Sequence, residues 1–103
     1  MDKEQAAAWY QKAAAQGHAC AQNNLGYCFE IGLGVVMDVE QAAAWYRKAA
    51  ERGHAGAQNN LGYCFTKGLG VVMDEKQAYA WYRKAAEQGC ARAQFSSVFI
   101  NFD

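Results

Sequence analysis

The chain has 103 residues and no proline; 52% of its residues are hydrophobic, and ten basic and ten acidic residues cancel in charge. One domain is the natural expectation at this length, and the hydrophobic content excludes an intrinsically disordered chain. The absence of net charge argues against nucleic acid or an anionic membrane as a partner, because both select basic surfaces.

The N-terminal segment bears on localisation. Its sequence, MDKEQAAAWYQK, lacks the apolar core that follows a basic start in a signal peptide. No apolar run in the chain approaches the ~18 residues that a membrane-spanning helix needs. A cytoplasmic protein is therefore expected.

A repeat with a period of 36 residues runs through the chain. The segment AQNNLGYCF occupies residues 21–29 and again 57–65, and Trp9, Trp45 and Trp81 stand at the same position of successive copies. Such periods are typical of solenoids, in which each repeat is a supersecondary unit that stacks on its neighbours. The sequence predicts an all-α solenoid of helix-turn-helix repeats.

Two kinds of helix alternate along the chain, and we term them helix B and helix A. The chain begins with a helix B. In residues 39–52, Ala42, Trp45 and Tyr46 recur at the spacing of one helical face. Asp38 precedes them as a predicted N-cap with a glutamine three residues later, which is the spacing of a capping box. The other two B helices repeat this arrangement.

The second kind, helix A, carries a glycine in its interior. In residues 55–67, Ala57, Leu61 and Cys64 form the apolar stripe. Gly62 costs such a helix about 1 kcal/mol relative to alanine, so we expect close packing there beneath a Trp or Tyr of helix B. The connector from helix A to helix B reads GLGVVMD, and its first valine is expected to close the end of the core.

Six helices are thus expected in a single domain, residues 1–103, in the order B, A, B, A, B, A. Their predicted ranges are 3–16, 19–31, 39–52, 55–67, 75–88 and 91–102. The last of these is a degenerate helix A, which reads ARAQFSSVFINFD in place of a sequence like AQNNLGYCFTK.

The repeat resembles the SLR (Sel-one-like repeat) family, a relative of the tetratricopeptide repeats. The first copy of the family pattern consists of Ala21, Leu25, Gly26, Phe29, Gly32, Gly34, Val35, Asp38, Ala42, Trp45, Tyr46, Lys48, Ala49, Ala50 and Gly53. The second consists of Ala57, Leu61, Gly62, Phe65, Gly68, Gly70, Val71, Asp74, Ala78, Trp81, Tyr82, Lys84, Ala85, Ala86 and Gly89. The resemblance implies a right-handed superhelix whose A helices line the concave face, and an adaptor or scaffold that binds a protein or peptide there.

Two alternatives stay open beside a protein-binding module. Some cysteine-rich relatives in the family are linked to penicillin binding and weak β-lactamase activity, so the resemblance also admits a weak β-lactam-binding hydrolase. The only serines are Ser96 and Ser97, and no S-x-x-K motif is present, so we expect no enzymatic activity. The other alternative is a purely structural repeat fragment without a partner.

The four cysteines predict neither a disulfide nor a metal site. Cys20 and Cys28 lie eight residues apart on one helix, about 12 Å along its axis, which is too far for a disulfide. Cys28 and Cys64 are equivalent residues of adjacent repeats, so packing distances also disfavour a bond between them. Reduced core thiols are expected. The residues that follow the three B helices are His18, His54 and Cys90. They are not arranged at the spacing of zinc ligands, so no metal or cofactor is expected.

A line of side chains beside the apolar stripe of helix A is the predicted partner-binding groove. On the first helix A these residues are Asn23, Tyr27 and Glu30, at i, i+4 and i+7. On the second they are Asn59, Tyr63 and Thr66. Stacked repeats would align them into a ladder in which amides bond a peptide backbone and tyrosines supply amphipathic contact area.

The degenerate last helix A is the predicted site of self-association. It carries large apolar residues that no following helix B covers: Phe95, Val98, Phe99, Ile100 and Phe102. They could fold back over the end of the stack or pack against a second copy of the chain. A closed homodimer is favoured here, because such a patch can pair with itself.

Overall fold

The computed structural model describes residues 2–88, and all the regular secondary structure in this range is helical. Five helices of 13 residues follow one another: α1 (Lys3–Ala15), α2 (Ala19–Ile31), α3 (Val39–Glu51), α4 (Ala55–Lys67) and α5 (Glu75–Glu87). The predicted all-α solenoid is confirmed. The expected sixth helix at 91–102 lies outside the described residues, as do Cys90, both serines and the residues predicted to self-associate.

The B helices (α1, α3 and α5) begin at the predicted aspartates. The carboxylates of Asp2, Asp38 and Asp74 each accept a hydrogen bond from the backbone N–H three residues later. Each B helix ends one residue before its predicted end, because that residue is the C-cap. After the cap of α3 the chain turns at Gly53, which has a φ of 95°. This turn lets the N–H groups of Gly53 and His54 donate to the carbonyls of Ala50 and Ala49 at the end of the helix.

Each helix packs chiefly on the helix before it and the helix after it, which is the pattern of a solenoid. The core runs along the stack and contains the small alanines of the B helices together with Leu25, Leu61, Phe65 and Tyr46. The interior glycines lie where the sequence placed them. Gly62 packs beneath the ring of Tyr82, as Gly26 packs beneath the ring of Tyr46.

The tryptophans are less buried than their helical spacing indicated. Their place on the apolar face of helix B predicts core residues, but Trp9 is 63% exposed and Trp45 and Trp81 are only half-buried against the core. Tyr46 and Tyr82 are buried in the core, and Tyr10 packs partly buried against it. The ammonium groups of Lys48 and Lys84 lie over the indole rings of Trp45 and Trp81, at 4.7 and 4.9 Å from the ring centroids.

The two connectors between A and B helices join neighbouring repeats. Gly34 takes a φ of 76° and packs against the main-chain carbonyl of Lys3 at the start of α1, and Gly70, with a φ of 70°, packs in the same way against Val39. A side chain in either place would overlap that carbonyl. The first valine of each connector, Val35 or Val71, packs against the core as predicted, while the residues after it turn outward.

Candidate protein-binding face

The two tyrosines of the predicted groove are exposed. Tyr27 on α2 is 51% exposed and Tyr63 on α4 is 43% exposed, although the leucine two residues before each of them is fully buried. They occupy equivalent positions one repeat apart, so the stacking of α2 and α4 beside each other presents both rings on one side of the molecule.

The asparagines of the predicted groove are held within the protein. The Asn23 Oδ1 accepts a hydrogen bond of 2.9 Å from the Asn60 Nδ2, which ties α2 to α4. Asn59 is only 3% exposed, and its Oδ1 has no hydrogen-bond partner in the structure. A ladder of open amides at positions 23 and 59 is therefore not what the fold presents.

The two remaining groove residues are also bonded internally. Tyr46 donates a hydrogen bond of 2.6 Å from its hydroxyl to the Glu30 Oε1, so this carboxylate joins α2 to α3. Thr66 is exposed, and its hydroxyl donates to the carbonyl of Gly62 one turn earlier at 3.0 Å. Glu30 thus supports the packing of a repeat, whereas Thr66 remains at the surface.

Other residues, which the sequence prediction left out or placed at its edge, share the side of the two tyrosines. At helical spacing from Tyr27 and Tyr63, the exposed or half-exposed side chains are Asn24, Ile31, Asn60 and Lys67. We term the surface formed by these four residues and the two tyrosines the A-helix face. Counting back three residues from each tyrosine selects Asn24 and Asn60, whereas counting back four selects Asn23 and Asn59. Both steps lie on one helical face, so the spacing alone does not decide between the two pairs.

The thiols divide by burial. Cys20 is exposed near the start of α2, whereas Cys28 and Cys64 lie in the core. Burial raises the pKa of both core thiols; that of Cys64 reaches about 11, with a smaller contribution from the nearby Glu30 carboxylate. Such thiols stay protonated at neutral pH and react slowly.

The described residues contain no cluster of three or more His, Cys, Asp or Glu side chains that could bind a metal ion. Within the same range, none of the helices has both the length and the apolar character needed to cross a bilayer.

Comparisons with known proteins place this repeat in a family. The model of the Sel1 repeat matches residues 2–18, 21–54 and 55–90. Among curated proteins, no match was found. Solved structures do match, at TM-scores of 0.85 to 0.87.

A Sel1 repeat protein from Oxalobacter formigenes is 46% identical over 93% of this chain, with a TM-score of 0.87. The protein c5321, a protective antigen present in uropathogenic Escherichia coli strains and displaying an SLR fold, is 42% identical over 89% of this chain, with a TM-score of 0.86. Cysteine rich protein B of Helicobacter pylori is 31% identical over 90%, with a TM-score of 0.85.

The chain spans only part of these relatives: 40% of the Oxalobacter protein, 20% of c5321 and 70% of the Helicobacter protein. Sel1 repeats are generally protein-interaction modules. The repeat period, the tyrosine-on-glycine packing, the matched residues and the structural likeness lead to one conclusion: the chain belongs to the Sel1 repeat family.

Proposed function

We propose that the chain is a protein-interaction module that holds a segment of a partner protein, an extended peptide or a helix, across the A-helix face. The observation that carries the proposal is the pair of exposed rings, Tyr27 and Tyr63, one repeat apart on adjacent A helices. Tyrosine gives a large amphipathic contact area with few torsions to immobilise, which makes it frequent at interfaces.

The surroundings of the tyrosines suit a peptide. Ile31 adds an apolar contact next to Tyr27, while Lys67 and Asn60 add polar ones around Tyr63. The hydrogen bond from the Asn60 side chain to Asn23 fixes the Asn60 amide in place before a partner binds. A side chain that is already ordered loses less conformational freedom on binding.

The test compares tyrosines on the two sides of the stack. Tyr27→Ala with Tyr63→Ala should weaken the binding of a purified partner at least tenfold, because both rings are exposed and would be covered in the complex. Far-UV circular dichroism should not change. Tyr79→Ala is the matched control, since Tyr79 is 39% exposed on α5 of the B-helix side. Unchanged affinity in the double variant, or loss of binding through Tyr79→Ala, would place the interface elsewhere.

We propose further that the module acts without catalysis and inside the cytoplasm. The first part rests on the sequence, in which no nucleophile motif stands out, and the second on the free thiols of Cys20, Cys28 and Cys64, which suit a reducing compartment. Steady hydrolysis of a chromogenic cephalosporin by the purified chain, above that of a boiled sample, would favour the β-lactam-binding alternative.

A further inference from the structure

A second exposed surface lies on the connectors, which follow the last residues of the A helices. Val36 and Met37 in the first connector are 87% and 61% exposed, and Val72 and Met73 in the second are 86% and 60% exposed. We term these four residues the connector edge. The two repeats expose the same apolar pair to the same degree, so the exposure is a property of the fold and not an accident of one loop.

The backbone of each connector is held firmly, so these side chains point outward by construction. The N–H groups of Leu33 and Asp38 donate to the carbonyls of Cys28 and Phe29, both at 2.8 Å. The second connector repeats the pair of bonds with Leu69 and Asp74, at 2.9 and 3.0 Å. Neither connector needs the outward valine or methionine for its own packing.

A shallow, open groove of about 370 Å³ lies between the second connector and the start of α3. Its lining consists of Val39, Glu40, Gly68, Gly70, Val71 and Val72. Its side chains are apolar apart from Glu40, which is exposed. An apolar side chain of a partner would enter this groove next to a negative charge.

Charge is divided between the two ends of the B helices. The starts, which lie next to the connectors, carry six acidic residues and two lysines: Asp2, Glu4, Asp38, Glu40, Asp74, Glu75, with Lys3 and Lys76. The last turns and their caps carry the opposite excess: Lys12, Lys48, Arg52 and Lys84, with Glu51 and Glu87; Arg47 and Arg83 lie one residue before the last turn. Lys67, which directly precedes the second connector, is also exposed at this edge. The acidic residues still outnumber the basic ones there, and this edge carries the exposed valines and methionines.

We propose that the connector edge binds a basic amphipathic segment of a partner protein, with lysines or arginines on one side and large apolar residues on the other. The apolar side would cover the Val–Met pairs and enter the groove beside Glu40, and the basic side would face the acidic helix starts. Methionine side chains adapt to differently shaped apolar groups, which suits such a segment. An anionic bilayer or a nucleic acid fits less well, because the same carboxylates repel both.

The probe for this proposal is a fluorescently labelled 16-residue helical peptide made of leucines and lysines, followed by fluorescence anisotropy at low salt. The wild-type chain should bind it, and added salt should weaken the binding. Val72→Ser with Met73→Ser should weaken it at least tenfold, and Glu40→Gln a few-fold. A peptide with glutamates in place of the lysines should not bind.

Controls separate this surface from the A-helix face and from misfolding. Tyr27→Ala with Tyr63→Ala should leave the affinity for the peptide unchanged, so the two proposals can fail independently. Met37→Ser, in the other repeat, supplies a second variant if the first unfolds. The proposal would be overturned if both connector variants bound the peptide as tightly as the wild-type chain, or if the glutamate peptide bound as tightly as the lysine peptide. Binding to phosphatidylglycerol vesicles in place of the peptide would also overturn it.

Discussion

Gly26 and Gly62 allow a tyrosine ring of the next helix to lie directly on the backbone of helix A. A Cβ atom built on Gly26 would stand 2.7 Å from the Tyr46 ring, and one built on Gly62 would stand 2.9 Å from the Tyr82 ring. Both distances are well inside van der Waals contact. The packing of the two helices must therefore offset the ~1 kcal/mol by which glycine weakens a helix interior relative to alanine.

Gly26→Ala should lower the free energy of unfolding by about 1–3 kcal/mol, because the added methyl forces the rigid ring of Tyr46 outward. In a Tyr46→Ala background the same change should cost less, or stabilise by up to about 1 kcal/mol, since the ring is gone and only the Ala42 carbonyl, 3.2 Å from the added Cβ, opposes the gain in helix propensity. Urea denaturation of the four proteins checks this cycle. A more stable Gly26→Ala variant in the wild-type background would contradict the packing described above.

His54 is a pH-sensitive cap at the start of α4. Its Nδ1 accepts the N–H of Ala57 at 2.9 Å, whereas His18, at the same position of the preceding repeat, makes no side-chain cap bond. Burial lowers the pKa of His54. Only the neutral ring can accept this bond, so its contribution is complete above the unfolded-state pKa near ~6.5 and is lost as the pH falls through the lower folded-state pKa.

His54→Ala should lower the free energy of unfolding by about 0.5–1 kcal/mol at pH 8, in the range of a weak N-cap. The difference from the wild type should be smaller at pH 5 than at pH 8, because the folded ring gains protons as the pH falls toward its lowered pKa and a protonated ring cannot accept the cap bond. His18→Ala is the matched control and should cost less at pH 8, since His18 makes no side-chain cap bond. Urea midpoints at the two pH values measure the effect; a constant difference would show that His54 acts through packing alone.

At the scale of helices, buried glutamines link one repeat to the next. Gln58 on α4 donates from its Nε2 to the carbonyl of Ala50 on α3 at 3.1 Å, and its Oε1 accepts from the Gln88 Nε2 at 2.7 Å. Gln22 makes the same bond to the carbonyl of Ala14, at 3.2 Å, but its own Oε1 has no hydrogen-bond partner in the structure. Gln58 thus joins α4 to both the preceding helix and the C-cap of α5.

Gln58→Ala should cost about 1–3 kcal/mol of unfolding free energy, because it removes a buried hydrogen bond to the Ala50 carbonyl, which keeps only the bond from the Gly53 N–H, and leaves the Gln88 amide without its Gln58 partner. Gln22→Ala removes one bond fewer and should cost about 1 kcal/mol less. Chemical denaturation of both variants compares them directly. Equal losses would mean that the bond to Gln88 adds nothing to the stability of the stack.

For the whole molecule, self-association stays a prediction from the sequence, because Phe95, Val98, Phe99 and Phe102 lie outside the described residues. Burying each of these side chains is worth about 1.5–3 kcal/mol, which favours a homodimer at micromolar concentration. Phe99→Asp should shift the protein toward monomer in analytical ultracentrifugation. An 11.3 kDa monomer for the unmodified chain would contradict the prediction, and a dimer that survives Phe99→Asp would place the interface elsewhere.

The fold was predictable because the same helical pattern occurs in successive repeats, while the residues of the binding face were predictable only to within one position along the helix. Asp38 predicts a helix N-cap because its carboxylate can accept a backbone N–H, and Gly62 predicts a close helix contact because it has no side chain. Whether Asn59 or Asn60 faces solvent depends on the neighbouring repeat, since one residue turns the direction by about 100°. The bond from Tyr46 to Glu30 joins residues of different helices, and no local pattern signals it.

The closest contacts between each connector glycine and the repeat before it are with main-chain atoms. Gly34 meets the carbonyl of Lys3, and Gly70 meets that of Val39; the third copy has Glu75 at the same position. The three copies have a basic, an aliphatic and an acidic residue at this position, Lys3, Val39 and Glu75. Their side chains can differ because the glycine contacts the main-chain carbonyl, which is the same in every residue. A unit duplicated or lost by recombination in the coding sequence would meet its new neighbour through an identical contact. The number of units in such an array can then change over evolution without compensating substitutions at this contact.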